Sequence, residues 1–379
     1  MLFCGVLALL AGCATSSNEP PPDWSVTNEV QKVQGPASTQ AIPAAAQTNA
    51  PAIVRTNPPP PFKTNLPALT LTNPPPATNG FKPRPALIYT WTSLKRWAAQ
   101  QKLPPPHLLT KSPLVTYAIT SDRGVMVLAI GLREASWNGV SVHLGFAPEI
   151  IDGEVYLHGL DLQKSVEPFL CDPPTAYGTN RVIVIDPGHG GINAGTVSVG
   201  DRRPEKEFTL DWARRLQPLL EREGWQVFLT RSNDVDIALS NRVNVAENRR
   251  ADVFLSLHFN SSAPDQRPAG LATFCLTPVG MPSNITRDYP DFLFQGFPNN
   301  SYDTQNVQLA ERLQRALLRA TSMEDRGVNR ARFMGVLRGQ HRAAVLIEAG
   351  FLSNPREARR IADPDFRQKL AEAVASALK

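Results

Sequence analysis

The sequence contains no internal run of about 18–20 apolar residues, the length that a membrane-spanning helix needs, so a polytopic membrane protein is excluded. Charged residues are also few, at 19% of the 379 residues. Hydrophobic residues nevertheless make up 42% of the chain, which is enough for a packed core. Wholesale disorder is therefore excluded as well.

A surface stripe of one charge sign is also missing, although the pI is 9.1. The last 199 residues contain 24 Arg and 3 Lys, but 23 Asp and Glu are interleaved with them. A mixed surface of this kind argues against nucleic acid as a partner. A mildly basic face suits an anionic polymer instead.

Cysteine is scarce, with four residues in the chain. Cys4 and Cys13 lie near the N-terminus, and only Cys171 and Cys275 remain for the rest of the sequence. Whether these two form a disulfide cannot be decided from their positions. Isolated cysteines of this kind are more often buried apolar residues than metal ligands.

The first 13 residues predict an export signal. Residues 2–10 are apolar and small residues follow, as in a secretory leader, although no Lys or Arg precedes the run. The tetrad Leu10-Ala11-Gly12-Cys13 resembles a bacterial lipobox. The resemblance implies that Cys13 is lipidated and anchors the chain to a membrane, the outer one in a host with two, because no Asp follows it. The alternative is a plain apolar segment that holds a cysteine.

Residues 14–85 predict a disordered tether. They hold 16 of the 35 prolines, and the unit Thr-Asn-Pro-Pro-Pro occurs at 56–60 and again at 72–76. Few apolar residues are available to offset the loss of chain entropy, so we expect no core. Proline tracts favour an extended chain of about 3.1 Å per residue, which gives a reach on the order of 200 Å. A ligand for a proline-binding module is the weaker alternative.

Residues 86–175 predict a small α+β domain. The periodicity of 92–101 indicates a helix with Leu94, Trp97 and Ala98 on one face. The other expected elements are strands at 114–120, 125–130, 140–144 and 155–157, turns at 138–139 and 152–153, and a short helix at 161–169.

The stretch WNGVSVHLGFAPEIIDGEVYLHGLDL within this domain resembles the small stalk-type domain found in the N-terminal regions of bacterial cell-wall enzymes and of some copper amine oxidases. It carries no catalytic motif, and His107, His143 and His158 lack the spacing of metal ligands. We therefore expect a spacer or a wall-contact domain.

Residues 180–379 predict an α/β domain with a mainly parallel twisted sheet flanked by helices, because strand and helix patterns alternate. The expected strands are 181–186, 226–230, 253–257, 271–276, 332–337 and 344–347, and the expected helices are 205–223, 239–249, 304–321 and 366–378.

Residues capable of metal chemistry follow the strands of this domain. His189 lies in the motif Asp-Pro-Gly-His-Gly-Gly after the first strand, His258 follows the third, Glu348 ends the last, and Glu205 begins the first helix. Ligands of open α/β sheets bind beyond the carboxyl ends of the strands, so these residues would meet at one edge. Two imidazoles and one carboxylate suit a four-coordinate Zn²⁺ with one position open to water. A separate carboxylate is then needed to move protons, and Glu348 is the candidate.

The blocks VIVIDPGHGGINAG, EKEFTLDWARRL, VFLTRSND, NRVNVAENRRADVFLSLHFNSS and VLIEAGFLSN resemble the zinc-dependent N-acetylmuramoyl-L-alanine amidases of the amidase-3 type. The resemblance covers about 200 residues, 181–379. It implies that His189, Glu205 and His258 bind one Zn²⁺ per chain, with Glu207 as the fallback for Glu205. It also implies that Glu348 is the catalytic acid and base.

The same resemblance places Asn260, Arg231 and Arg242 at family-typical positions, where we expect them to support the site. The chain departs from the family pattern at Glu247, where Asn is usual, and at Ala343, where Pro is common.

The segment 277–302 is longer than a minimal linker. In some members of the family an insertion in this region covers the active site until a partner displaces it. Whether residues 289–297 do so here, or form a mobile substrate loop, is left open, and with it the existence of a protein activator.

The reaction implied is hydrolysis of the amide that joins the lactyl group of N-acetylmuramic acid to L-Ala of the stem peptide, in cell-wall catabolism. Peptidoglycan would be the substrate, and the exported lipoprotein would face the periplasm or the wall, with cell division as the expected setting. One alternative is a zinc peptidase that cuts within the stem peptide. Another is a non-catalytic wall-binding lipoprotein, which would be expected to have lost its zinc ligands.

Overall fold

The computed structural model describes residues 90–172, 180–287 and 290–379. The predicted signal segment with Cys13 and the predicted tether at 14–85 lie outside these ranges. No helix in the described ranges combines the length and the apolar character needed to cross a membrane.

The described residues form fourteen strands and nine helices, with a π-helical turn at Leu162–Val166 and a 3-10 turn at Pro298–Tyr302. In chain order they are β1 (Trp91–Ser93), α1 (Leu94–Gln100), β2 (His107–Thr110), β3 (Thr116–Ser121), β4 (Gly124–Ala129), β5 (Glu134–Trp137), β6 (Val140–His143), β7 (Glu149–Ile151), β8 (Glu154–His158), α2 (Gly159–Asp161), α3 (Glu167–Leu170), β9 (Val182–Pro187), α4 (Glu205–Arg222), β10 (Gln226–Leu229), α5 (Leu239–Asn248), β11 (Val253–Asn260), β12 (Leu271–Cys275), α6 (Asp303–Thr321), β13 (Asp325–Arg330), α7 (Gly335–Arg338), β14 (Ala343–Phe351), α8 (Pro355–Ala362) and α9 (Pro364–Ala377).

Eleven of the strands form one sheet in the order β10-β9-β11-β14-β12-β13-β6-β5-β4-β3-β2. The half from β10 to β13 is parallel except where β12 pairs antiparallel with β14. The half from β6 to β2 is an antiparallel meander. The mainly parallel sheet expected for 180–379 is therefore confirmed.

Two apolar cores cover the two faces of the parallel half, because alternate residues of each strand project to opposite sides. Ile183, Leu255 and Ile347 belong to the larger core, which packs under α4, α6 and α9. Val184 and Phe254 belong to the smaller core, on the side of α5 and α7. Burial on both faces explains why β9 reads as an uninterrupted Val-Ile-Val-Ile run.

Helix α4 forms where the sequence predicts it, because apolar side chains recur every four residues at Phe208, Trp212, Leu216 and Leu220, and all four are buried. Acidic residues occupy its first turn and Arg222 its last, which complements the helix dipole. The first residue of this helix is Glu205, which is thereby delivered to the carboxyl edge of the sheet.

Two expectations for the parallel half need correction. The strand predicted at 332–337 is wrong: β13 is formed by Asp325–Arg330, and Gly335–Arg338 is helical. Strands β11 and β14 also continue past their predicted ends, so His258 and Glu348 lie within strands rather than after them.

Residues 90–172 join the parallel half through a pairing of β6 with β13, in which Val142 lies opposite Val328. The backbone N–H of Ser141 donates to Asp325 Oδ2 at 2.7 Å, and Arg330 Nη2 donates to the carbonyl of Lys164 at 2.6 Å. The two segments predicted as separate domains therefore share one hydrogen-bonded sheet. Cys171 and Cys275 are both free.

Candidate metal centre

The loop that carries His189 follows β9 and holds an uncommon backbone conformation. His189 has φ +61° and the two glycines after it have φ +133° and +59°. For a non-glycine residue the left-handed region costs free energy and persists only where the surroundings impose it. Here the surroundings are two buried arginines: Arg242 Nη2 donates to the carbonyl of His189 at 2.8 Å, and Arg231 Nη2 to that of Gly188 at 2.8 Å.

The carboxylate of Glu205 lies between two imidazoles. Its Oε2 is 3.0 Å from Nε2 of His189 and its Oε1 is 3.0 Å from Nδ1 of His258. Backbone N–H groups of Thr196 and Phe259 also donate to these oxygens, at 3.1 and 3.0 Å. Glu205 is 2% exposed, while the two histidines are 15% and 14% exposed. The cluster is thus rigidly held and still open on one side.

Two glycines allow the three side chains to come this close. A Cβ on Gly188 would lie 2.2 Å from the ring of His258, and a Cβ on Gly195 would lie 2.6 Å from the carboxylate of Glu205 and 2.7 Å from the ring of His189. Gly195 also has φ +68°. A larger residue at either position would displace the candidate ligands.

The electrostatics of the cluster favour an ionised carboxylate. Burial alone would raise the pKa of Glu205, but its close contacts with His189 and His258 hold that pKa far below its usual range. At His189 burial would lower the pKa, and the contact with Glu205 raises it instead. At His258 burial prevails and lowers the pKa, which favours the neutral imidazole that metals bind.

The buried polar atoms of the cluster fit a cation. Nδ1 of His189 lies 2.8 Å from Oδ1 of Asn193, an acceptor, so Nδ1 carries the proton of the neutral ring. In that neutral ring Nε2 carries the lone pair that a metal ion would take, and no described residue forms a hydrogen bond to it that meets normal geometry. Within the described ranges these three residues are the one group whose ligand atoms lie within 4.8 Å of one another. Two imidazoles and a carboxylate match the donor set of a zinc site.

Glu348 lies opposite His258 on the neighbouring strand β14 and is 1% exposed. Neither of its carboxyl oxygens has a hydrogen-bond partner among the described residues. Burial raises its pKa well above the usual range, and the charge of Glu205 adds to the rise. A buried carboxyl with no partner and a raised pKa is typical of a functional group rather than of a structural one.

Behind the His189 loop lies a group of buried hydrogen bonds centred on Asp186, a residue that the sequence analysis did not single out. Its carboxylate accepts from Arg242 Nη1 at 2.7 Å, from the hydroxyl of Thr230 at 2.6 Å and from that of Ser256 at 2.8 Å. Burial opposes its ionisation, but Arg242 and the two hydroxyls hold its pKa below the usual range. Its place in the Asp-Pro-Gly-His motif was the available signal. Asp186 thus orients Arg242, whose guanidinium in turn donates to the backbone carbonyl of His189.

The remaining predicted residues lie around the cluster rather than in it. Glu207 is 47% exposed and pairs with Arg203, so Glu205 and not Glu207 lies with the histidines. Asn260 ends β11, and its side chain accepts from the backbone of Ser261. Glu247, one of the two departures from the family pattern, pairs with Arg342 beside the other departure, Ala343.

The segment 277–302, described except for 288–289, packs against the antiparallel half and β13. A Cβ on Gly145 would collide with the side chain of Met281, and Arg332 pairs with Asp291. Arg133 Nη2 donates to the carbonyl of Pro282 at 2.8 Å. In the described part of the segment, no hydrogen bond or ion pair reaches the histidines, Glu205 or Glu348.

Comparison with known proteins gives a concordant picture. The profile of the Amidase_3 family, described as N-acetylmuramoyl-L-alanine amidase, matches residues 183–379. N-acetylmuramoyl-L-alanine amidase AmiC of Escherichia coli O6:H1 is 33% identical over 245 residues, covering 58% of this chain and 58% of that protein. AmiC of Neisseria meningitidis serogroup B is 33% identical over 227 residues, covering 53% of each. The chain thus spans little more than half of these relatives.

Among solved structures, the catalytic domain of the N-acetylmuramoyl-L-alanine amidase CwlV from Paenibacillus polymyxa is 31% identical, with a TM-score of 0.44. The match covers 52% of this chain and 96% of that one.

Proposed function

The chain belongs to the Amidase_3 family of N-acetylmuramoyl-L-alanine amidases, and from this premise we propose that it hydrolyses the amide between N-acetylmuramic acid and L-Ala of the peptidoglycan stem. The observation that carries the proposal is the juxtaposition of the His189, Glu205 and His258 cluster with the unpartnered carboxyl of Glu348. This arrangement offers a cation site and a proton carrier side by side, as metal-assisted amide hydrolysis requires.

His189, Glu205 and His258 would hold one Zn²⁺. A bound Zn²⁺ supplies Lewis acidity, which lowers the pKa of water and polarises a carbonyl. The protein residues supply orientation: Asn193 fixes the tautomer of His189, and the backbone N–H groups at 196 and 259 fix the carboxylate of Glu205. Partners of this kind raise metal affinity by about 10–100-fold.

Glu348 would carry the proton. In our proposal its carboxylate accepts a proton from the attacking water and returns it to the leaving amine nitrogen as the C–N bond breaks. Its burial and its lack of hydrogen-bond partners raise its pKa, which favours uptake of the proton from water; transfer of that proton to the amine then regenerates the carboxylate. Arg231 and Arg242 would act as positioning residues, since they touch the backbone of the His189 loop rather than the cluster itself.

We also propose that the chain is exported and anchored through a lipid on Cys13, with residues 14–85 as a tether to the wall. The support is the Leu-Ala-Gly-Cys tetrad and the proline content of the tether. Relatives of this chain include a protein named as a probable cell wall amidase, from Staphylococcus epidermidis. A Cys13→Ser variant would test the anchor, because it should move the protein from the membrane fraction to the soluble exported fraction.

Product analysis of digested peptidoglycan tests the activity. Mass spectrometry should find free lactyl carboxyls on muramic acid and intact stem peptides that begin with L-Ala. New peptide termini inside the stem would identify a peptidase instead, and no products from a zinc-loaded chain would identify a binding protein.

A further inference from the structure

A cavity of about 510 Å³ lies where the antiparallel half meets α6 and α9. It opens between the turn after β5, helix α3, the C-terminal half of α6 and the last residues of α9. A volume of this size suits a small organic ligand, since ligand pockets span about 300–1,000 Å³.

The lining of this cavity is strongly basic. Four arginines contribute to it, namely Arg123, Arg312, Arg315 and Arg319. In the described part of the chain, the lining has a single carboxylate, that of Glu311, which is 3% exposed and pairs with Arg315. Nε of Arg315 is buried and has no hydrogen-bond partner among the described residues. Among the lining residues that the structure describes, positive charge therefore exceeds negative charge.

An aromatic pair forms another part of the lining. Trp137 and Phe169 stack with their ring centroids 5.6 Å apart and an interplanar angle of 17°. Guanidinium groups bind phosphate and carboxylate through paired N–H donors. Arginines beside apolar ring surface thus match a ligand that combines an oxyanion with an apolar face, as an anionic sugar does.

This cavity is remote from the metal centre. The carbonyl of Leu378, next to the cavity residues 376–377, accepts hydrogen bonds from Trp225 and from Arg181, the residue before β9. The turn after β5 belongs to the antiparallel half, whose first strand β6 lies four strands from β11 in the sheet order, about 19 Å at 4.8 Å per strand.

We propose that this cavity binds the phosphate or carboxylate group of a glycan, as an anchoring site separate from the metal centre. That the anionic group belongs to a glycan rests on the proposed wall function, whereas the anion-binding site itself rests on the cavity alone. An anionic glycan bound there would contact Arg123 and Trp137 of the antiparallel half and the arginines of α6, the helix that packs on the parallel half.

Calorimetric titration of the full zinc-loaded chain tests the proposal, with trigalacturonate as the carboxylate probe, glucose 6-phosphate as the phosphate probe and maltotriose as the neutral control. We expect a charged probe to bind and maltotriose not to bind, with an affinity that falls as salt is raised. Arg312→Glu with Arg319→Glu should weaken binding at least about tenfold, since each lost guanidinium contact contributes to the affinity. If the Arg→Glu double variant does not fold, the double variant Arg312→Gln with Arg319→Gln, which removes the charges without reversing them, is used instead.

Arg222→Glu with Arg359→Glu is the matched control, because it makes the same charge change at exposed arginines outside the cavity lining. It should leave binding within about twofold of wild type. Binding of one probe alone identifies the oxyanion and supports the site. Failure of both charged probes, or equal losses in the cavity and control variants, overturns it. Amide hydrolysis by the same variants is measured separately, so failure of this site and failure of the amidase proposal remain distinguishable.

Discussion

His258 and Glu348 face each other as register partners on the neighbouring parallel strands β11 and β14. Register partners project from the same face of a sheet, so the backbone ladder holds the carboxyl of Glu348 on the same face as the imidazole, without a bond between them. Toward the carboxyl ends of the strands, the side chains on this face change from apolar to polar. Val184 of β9 and Phe254 of β11 are apolar, and Ser256 and His258 follow Phe254 on the same face of β11. The site is therefore an extension of the sheet and not only of its loops.

Glu348→Gln should lower kcat by about 10²–10⁴ and leave zinc bound, because the amide keeps the shape of the carboxyl but cannot carry the proton. Metal analysis beside a hydrolysis assay gives the result. Near-normal turnover in the purified variant would remove Glu348 from the mechanism. Glu207→Gln, at an exposed carboxylate in the same domain, is the control and should keep nearly full activity.

The same variant should make the metal-free protein more stable at neutral pH. Burial raises the pKa of Glu348 in the folded protein, so the folded state binds this proton more tightly than the unfolded state does. The wild type therefore loses stability as pH rises from the unfolded pKa of about 4.3 toward the raised folded-state value. Gln has no such titration. The melting temperature of Glu348→Gln should therefore exceed that of the wild type by more at pH 8 than at pH 5. A difference that shrinks as pH rises would contradict the raised pKa of Glu348.

Gly188→Ala should weaken zinc binding by about 10–100-fold, because the new methyl group would lie 2.2 Å from the ring of His258 and displace it. Zinc affinity from competition with a chelator is the measurement. Gly200→Ala is the matched control, since its Cβ would lie 3.5 Å from the nearest side chain, an ordinary contact. Equal affinities in the two variants would show that the approach at Gly188 does not set the position of His258.

Asp186→Asn should destabilise the protein by about 3–5 kcal/mol, because it leaves Arg242 buried without its counter-charge. The pKa of Asp186 is lowered in the fold, so its contribution is present above the unfolded pKa and is lost as pH falls. Urea unfolding at pH 7 and at pH 3.5 should therefore show a larger difference at pH 7. Asp265→Asn, whose pair with Arg267 is at the surface, should change little at either pH.

Removal of metal with a chelator should abolish hydrolysis, and added Zn²⁺ should restore it. At a free zinc concentration of 100 times Kd, binding stabilises the fold by about 2.7 kcal/mol, so the metal-free chain should melt at a lower temperature. His258→Ala should remove both effects, whereas His107→Ala, at an exposed position in β2, should remove neither. Full activity in a protein shown to lack metal would refute the proposed metal centre.

The sequence alone determined which residues could form the site. His189, Glu205, His258 and Glu348 were recognisable from the motifs around them, and β9 and α4 from their periodicity, because each signal lies within a few consecutive residues. The strand β13 was not recognisable, since Asp-Arg-Gly-Val-Asn-Arg is polar and contains glycine. It is a strand because β12 and β6 flank it and satisfy its backbone.

Only the tertiary structure decided how the candidate residues are held. The ion pair of Asp186 with Arg242 joins positions 56 residues apart, and the register of His258 with Glu348 joins strands from different parts of the chain. The pairing of β6 with β13 is equally non-local. Local sequence carries propensity and motif, whereas register, burial and pKa depend on neighbours that are distant in sequence and that the chain acquires only on folding.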